Sequence, residues 1–150
     1  MQINQDFFNK IHPTLLGLKE VLGVDFVIFG SAPLYLIGVL DFQPETALND
    51  IDIAVQNEND IPKDARVVLF HDDPNQKLYK LSINNVTIDI GYAWSGQEEY
   101  FKKIFINPII VESFKFANLD ICEEWKELMV KKYNREKDKY YLEKIREFKG

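Results

Sequence analysis

Asp50 and Asp52 stand one residue apart in the run Asn49-Asp50-Ile51-Asp52-Ile53-Ala54-Val55. Side chains of a strand alternate between its faces, so Ile51, Ile53 and Val55 would turn to a core and Asp50, Asp52 and Ala54 to the opposite side. Two carboxylates on one face, roughly 6–7 Å apart by strand rise, can share one or two divalent cations. Oxygen ligands suit Mg²⁺ or Mn²⁺, and Mg²⁺ typically binds through one or two carboxylates plus substrate phosphates. Upstream, Phe26-Val27-Ile28-Phe29 ends abruptly in Gly30-Ser31. A helix beginning there would offer free amides and the positive end of a dipole. Glycine lets a phosphate approach the backbone, and serine adds a hydroxyl donor.

The elements that must position these residues follow from periodicity. Phe8, Ile11, Leu15, Leu18 and Leu22 recur at spacings of three and four and predict a helix over 5–22, with Pro13 an irregularity inside it. Residues 26–29 read as a short buried strand. Residues 32–40 read as a helix with Ser31 as N-cap and Pro33 in its first turn. Pro44 and the lack of a period make 41–49 a loop. Strands follow at 51–55 and 66–70, separated by the polar stretch 57–63.

Residues 77–83 and 86–92 flank Asn84-Asn85, and asparagine tolerates the positive φ of a tight hairpin turn. A two-residue loop pairs Ile83 with Val86, Leu81 with Ile88 and Tyr79 with Ile90 on an apolar face. On the other face it pairs Ser82 with Thr87 and Lys80 with Asp89. Asp89 is thereby a candidate third carboxylate. A short helix around 97–104, a short strand at 108–111 and helices over 120–133 and 136–148 complete the chain.

The expected architecture is α/β: a mixed twisted sheet of about five strands with packed helices and a C-terminal helical pair. Residues 1–115 would form the core and 116–150 a helical extension packed on it. A chain of 150 residues, 46% hydrophobic and 13% aromatic, suits one packed domain rather than a disordered segment. Its net charge of −6 argues against a general nucleic-acid coat protein. Between Lys126 and Lys149, however, nine basic residues stand against five acidic ones, which marks that end for a phosphate partner. The single Cys122 excludes an intrachain disulfide and a cysteine zinc site, and reads as a packing residue. His12 and His71 suggest no metal motif and receive no role. No apolar run reaches membrane-spanning length and the N-terminus lacks a signal core, so a cytoplasmic protein without a membrane partner is expected.

Hydrophobic-Gly-Ser, then Asp-hydrophobic-Asp-hydrophobic, then a later strand aspartate, resembles the nucleotidyltransferase superfamily that includes DNA polymerase beta. The stretch from Phe29 through Gly38 is similar to its small bacterial members, among them aminoglycoside and toxin-type transferases. Arg135-Glu136-Lys137-Asp138 is similar to an Arg-x-Lys-Asp segment in their helical tail. The resemblance implies metal-dependent transfer of a nucleotide from a nucleoside triphosphate such as ATP to a hydroxyl acceptor. Asp50, Asp52 and Asp89 would hold Mg²⁺, with Asp89 also taking the hydroxyl proton. Gly30 and Ser31 would hold the β and γ phosphates. Lys131, Lys132 or Lys137 would neutralise charge on pyrophosphate. The acceptor is left open among a small molecule, a tRNA end and a protein.

Other readings stand beside this one. Asp50 and Asp52 can be the solvent face of an edge strand. Asp89 and Lys80 can be an ordinary cross-strand ion pair. Tyr133, Tyr140 and Tyr141 read as packing residues. The loop before the acidic strand carries no basic residue, and Tyr141 stands where the small members carry an aspartate. Both departures favour a binding module of the same fold, with a nucleotide or a protein partner, for example half of a toxin–antitoxin pair.

Overall fold

A computed structural model describes residues 2–46 and 50–150. The first helix, α1, covers Gln5–Leu22. Asn4 caps it by accepting a hydrogen bond from the Phe7 amide at 3.0 Å. Gly23, with φ +68°, ends it and returns its N–H to the Lys19 carbonyl. The helix runs through Pro13 and buries Phe7, Phe8, Ile11, Leu15 and Leu18 along one stripe. Gly17 lies on the same helix with no side chain of its own; a Cβ there would meet Ile83 Cγ2 at 2.9 Å.

Among the described residues one seven-stranded mixed sheet forms the centre. Its strands are β1 (Val27–Phe29), β2 (Asp50–Ala54), β3 (Arg66–Leu69), β4 (Lys77–Ile83), β5 (Val86–Gly91), β6 (Ile109–Val111) and β7 (Phe114–Phe116). The spatial order is β3-β4-β5-β2-β1-β7-β6. β2 runs antiparallel to β1 and parallel to β5, while β7 lies parallel to β1. The inner strands bury Ile28, Ile51, Ile53, Ile88 and Ile90 almost completely. Ala54, expected on the polar side, is also fully buried. Among the described residues the remaining α-helices are α2 (Ala32–Leu36), α3 (Glu98–Lys103), α4 (Leu119–Tyr133) and α5 (Glu136–Lys149). Asn118 caps α4 by accepting from the Ile121 amide, and Asn134, at φ +52°, ends it.

The hairpin register is as expected at every pair from Tyr79–Ile90 to Ile83–Val86, and Asn84 and Asn85 adopt φ of +52° and +65°. Other expectations need correction. The sheet has seven strands rather than about five. Phe114–Phe116 carries no strand signal in the sequence because it is short and its turn, Glu112-Ser113 at φ +47° and +70°, lacks the usual asparagine or glycine. β7 spans the boundary drawn between residues 115 and 116. The helix expected over 32–40 stops at Leu36, because Gly38 turns left-handed at φ +86° and the Val39 and Leu40 amides fold back on the Leu34 carbonyl. Val39, Leu40 and Phe42 are nonetheless buried, so the apolar spacing there belongs to a packed turn. Ser31 occupies the N-cap position but makes no side-chain capping bond. The end of the 41–49 loop lies outside the described residues. Among the described residues no helix is long and apolar enough to cross a membrane.

The hairpin turn depends on residues that accept the left-handed region. Asn85→Val places a β-branched side chain at φ +65° and should lower unfolding free energy by about 1–3 kcal/mol, whereas Asn85→Gly should not. Urea melts of the two variants check this.

Candidate active site

Phe29 pairs with Asp52, and Asp52 pairs with Asp89. Asp50 lies two residues before Asp52 on β2, so all three carboxylates leave the sheet on one face. The chain after Phe29 turns at Gly30 with φ +73°. A Cβ on Gly30 would lie 2.2 Å from Asp52 Oδ2, so glycine is required twice, by backbone conformation and by the carboxylate pressed against it.

Phe29, Asp50, Asp52 and Asp89 line one wall of a cleft of about 240 Å³. Ser31, Asp50, Asp52 and Asp89 lie on the sheet side; Trp125, Lys126, Met129 and Tyr133 of α4, and Lys137 and Tyr141 of α5, lie on the helical side. Arg135, in the corner between the two helices, also faces it. The base of the cleft is aromatic. Trp94 and Trp125 sit with ring centres 5.0 Å apart, and Phe29 meets both edge-on at 5.4 and 5.8 Å. Trp94 reaches this place because residue 91 is glycine: a Cβ there would fall 2.2 Å from Trp94 Cζ2.

Charge in the cleft is arranged in two groups. On the sheet, Lys80 donates to Asp89 Oδ1 at 2.6 Å. Burial, the Asp89 carboxylate and, less strongly, Asp50 push the Asp52 carboxyl up to about 7, against the opposing pull of Lys126 and Lys80. On the helices, Asp138 is fully buried and takes hydrogen bonds from Arg135 Nε at 2.6 Å, Arg135 Nη2 at 3.0 Å and Lys126 Nζ at 3.2 Å. Burial alone would raise Asp138, but the Arg135 hydrogen bonds and the Lys126 charge outweigh it and hold the carboxyl low. Burial lowers Lys126, with Asp138 and Asp52 opposing. Lys126 Nζ also stands 4.6 Å from the Tyr141 ring centre, within cation–π range.

The structure therefore brings Gly30, Ser31, Asp50, Asp52, Asp89 and Lys137 to one place. Lys131 is exposed on α4 and does not line the cleft; Lys132 pairs with Asp73 at 3.2 Å. Tyr133 and Tyr141, read as packing residues, face the cleft, whereas Tyr140 is exposed. Cys122 is buried as expected, and burial pushes its thiol up to about 12, which leaves it inert.

Lys126 was missed. Its signal is a lysine four residues after Cys122 and three before Met129, on a stripe that is otherwise buried and apolar. The aromatic base gave no signal, since Phe29, Trp94 and Trp125 meet only across the fold.

Among the described residues no group of three or more His, Cys, Asp and Glu side chains is placed to hold a metal ion. The donor chemistry still fits a hard cation at Asp50 and Asp52: burial first and like-charge crowding second raise Asp52, and an added positive charge would offset both. Asp89 is engaged by Lys80 and would join only after that ammonium moves.

Because the Asp52 carboxyl is raised in the folded state, stability is highest below its unfolded value of 3.8, falls as pH rises through about 7, and carries the full cost of the buried charge above that. In metal-free protein at about pH 8, Asp52→Asn should therefore be more stable than the native chain by a few kcal/mol, with the difference shrinking towards about pH 4. Thermal or urea melts across that range read the sign directly. Asp138→Ala strands Lys126 and Arg135 and should cost about 3–5 kcal/mol. Lys115→Ala, which breaks an exposed pair with Asp25, should cost under about 1 kcal/mol. Equal losses in the two melts would contradict this. No protein-family model matches the chain and no curated protein matches it, so the bearing on function comes from the cleft itself.

Proposed function

We propose that the protein is a Mg²⁺-dependent nucleotidyltransferase, with a nucleotidyltransferase-like sheet, that moves a nucleotide from a nucleoside triphosphate to a hydroxyl acceptor. One observation carries the reading. The β1–β2–β5 register sets Asp50, Asp52 and Asp89 on one wall of a cleft whose facing wall carries Lys126, Arg135 and Lys137. A triphosphate with its cation needs such a pairing, with carboxylates for the metal and ammonium or guanidinium groups for the phosphate oxygens.

In this reading the acceptor oxygen bonds to the α-phosphorus and the bond from that phosphorus to pyrophosphate breaks. Mn²⁺ or Mg²⁺ at Asp50 and Asp52 would supply charge neutralisation and orientation of the phosphates. Asp89 takes the hydroxyl proton. Ser31 and the amides beside it bind phosphate oxygens. Lys137, exposed on the cleft wall, and Arg135, oriented by Asp138, stabilise the negative charge gathering on pyrophosphate. Positioning and electrostatics supply most of the acceleration in phosphoryl chemistry, so a chain of this size suffices.

A second reading, a module that binds nucleotide or a protein partner without transfer, is favoured by the 2.6 Å Lys80–Asp89 contact, which occupies the carboxylate needed for the proton. Transfer of labelled nucleotide to an acceptor pool, with calorimetry against each triphosphate in Mg²⁺, separates the two. Asp50→Ala and Asp52→Ala should each lower transfer by about a hundredfold or more without loss of fold. Transfer that survives both changes would remove these residues from the chemistry. Saturable binding with no transfer under any acceptor would select the binding module.

A further inference from the structure

His71 and Asp72 both occupy the left-handed region, at φ +52° and +58°, although neither is glycine. Two successive residues held this way are strained, and such strain persists only where the surroundings impose it. The surroundings here are the corner between α4 and α5. Arg135 Nη1 donates to His71 Nε2 at 2.9 Å. Tyr133 Oη donates to Asp73 Oδ2 at 3.3 Å, and Lys132 pairs with the same oxygen. The Phe70, His71 and Tyr133 rings pack together with centres 4.3 to 5.2 Å apart. At its far end, buried Gln76 donates to the Ser95 carbonyl at 2.7 Å, beside Trp94. Phe70 and Gln76 are themselves part of the cleft wall.

We propose that His71 is a positioning residue and the latch of a strained clasp: residues 70–76 dock on the α4–α5 corner through the free Nη1 of the Arg135 guanidinium that Asp138 orients, and swing away when the imidazole takes a second proton. The neutral imidazole accepts from a guanidinium, which has no other role to offer it than donor. Once protonated, the ring has no acceptor left and sets one cation against another. The groups facing His71 are Arg135 and Asp138 on the α5 side, Tyr133 and Lys132 on α4, and Asp72 and Asp73 in its own loop. Burial and the Arg135 charge keep His71 below the ordinary imidazole range, more than Asp138 and Asp72 raise it. The clasp is therefore favoured at neutral pH and loses stability as pH falls through about 6.5 and below. A cleft of about 240 Å³ is smaller than the roughly 300–1,000 Å³ typical of pockets that enclose a drug-sized small molecule. A wall that can give way meets that need, and residues 70–76 are closed on themselves by the Phe70 amide on the Gln76 carbonyl at 2.7 Å, so they can move as one unit.

Trp94 and Trp125 are the chain's two tryptophans and both line the cleft, so quenching of intrinsic fluorescence by acrylamide reports opening without any ligand. In native protein, quenching should rise about twofold or more between about pH 8 and about pH 5. His71→Ala should be quenched at pH 8 as the native chain is at pH 5, with no further change on acidification. Asp73→Asn, which loosens the clasp without touching the imidazole, should raise quenching at pH 8 and retain the pH step. Circular dichroism confirms that each variant is folded. The proposal falls if His71→Ala is quenched no more than native protein at pH 8. It also falls if the pH step survives in His71→Ala and vanishes in Asp52→Asn, which would assign it to the carboxylates. The measurement needs no nucleotide, so failure of the transferase reading leaves it standing.

Discussion

A carboxylate occupies the space that a side chain on residue 30 would fill. That single constraint, Asp52 pressed on Gly30, organises the cleft. The contact requires the Phe29–Asp52 pairing, which requires β2 to lie antiparallel beside β1. The parallel β2–β5 register then delivers Asp89 to the same face. Ile51, Ile53, Ile88 and Ile90 hold that register by burying the opposite face against the core. A slip of one residue would send the isoleucines to the cleft and the carboxylates to the core, at a cost no small domain could absorb.

Burying acidic groups together is unfavourable unless cations stand near. The molecule answers with Lys80 on the sheet and with the Lys126–Asp138–Arg135 group on the helices. Asp138 is fully buried, yet it stays ionised because three donated hydrogen bonds replace its water. The helical pair is thus more than a cover for the sheet. It brings the positive end of an acidic chain to the same cleft as the acidic end of the sheet. Its aromatic base is formed by Phe29, Trp94 and Trp125, whose rings pack edge-on and tilted against one another.

Much of this was legible in the linear order of residues. Alternation in 50–55 and 77–91 specified which side chains share a face, because the strand period is two and tolerates no ambiguity where one face is apolar. The Asn84-Asn85 turn specified the hairpin, and the three- and four-residue spacing specified α1, α4 and α5. Short elements were not legible. β7 has three residues, and Gly38 cut α2 short while leaving the apolar spacing of its continuation intact. Periodicity measured over so few residues does not distinguish a helix from a packed turn.

By itself the sequence determined that Asp50, Asp52 and Asp89 lie on polar faces of strands, and that a glycine follows the first strand. Those are local properties, fixed by backbone geometry within a few residues. Only the tertiary structure decided that the three aspartates share one cleft, that Lys126 and Arg135 face them while Lys131 does not, and that His71 meets Arg135 across sixty-four positions of chain. Such contacts depend on strand order and helix docking, which arise from the packing of the whole core and leave no periodic trace in any one segment.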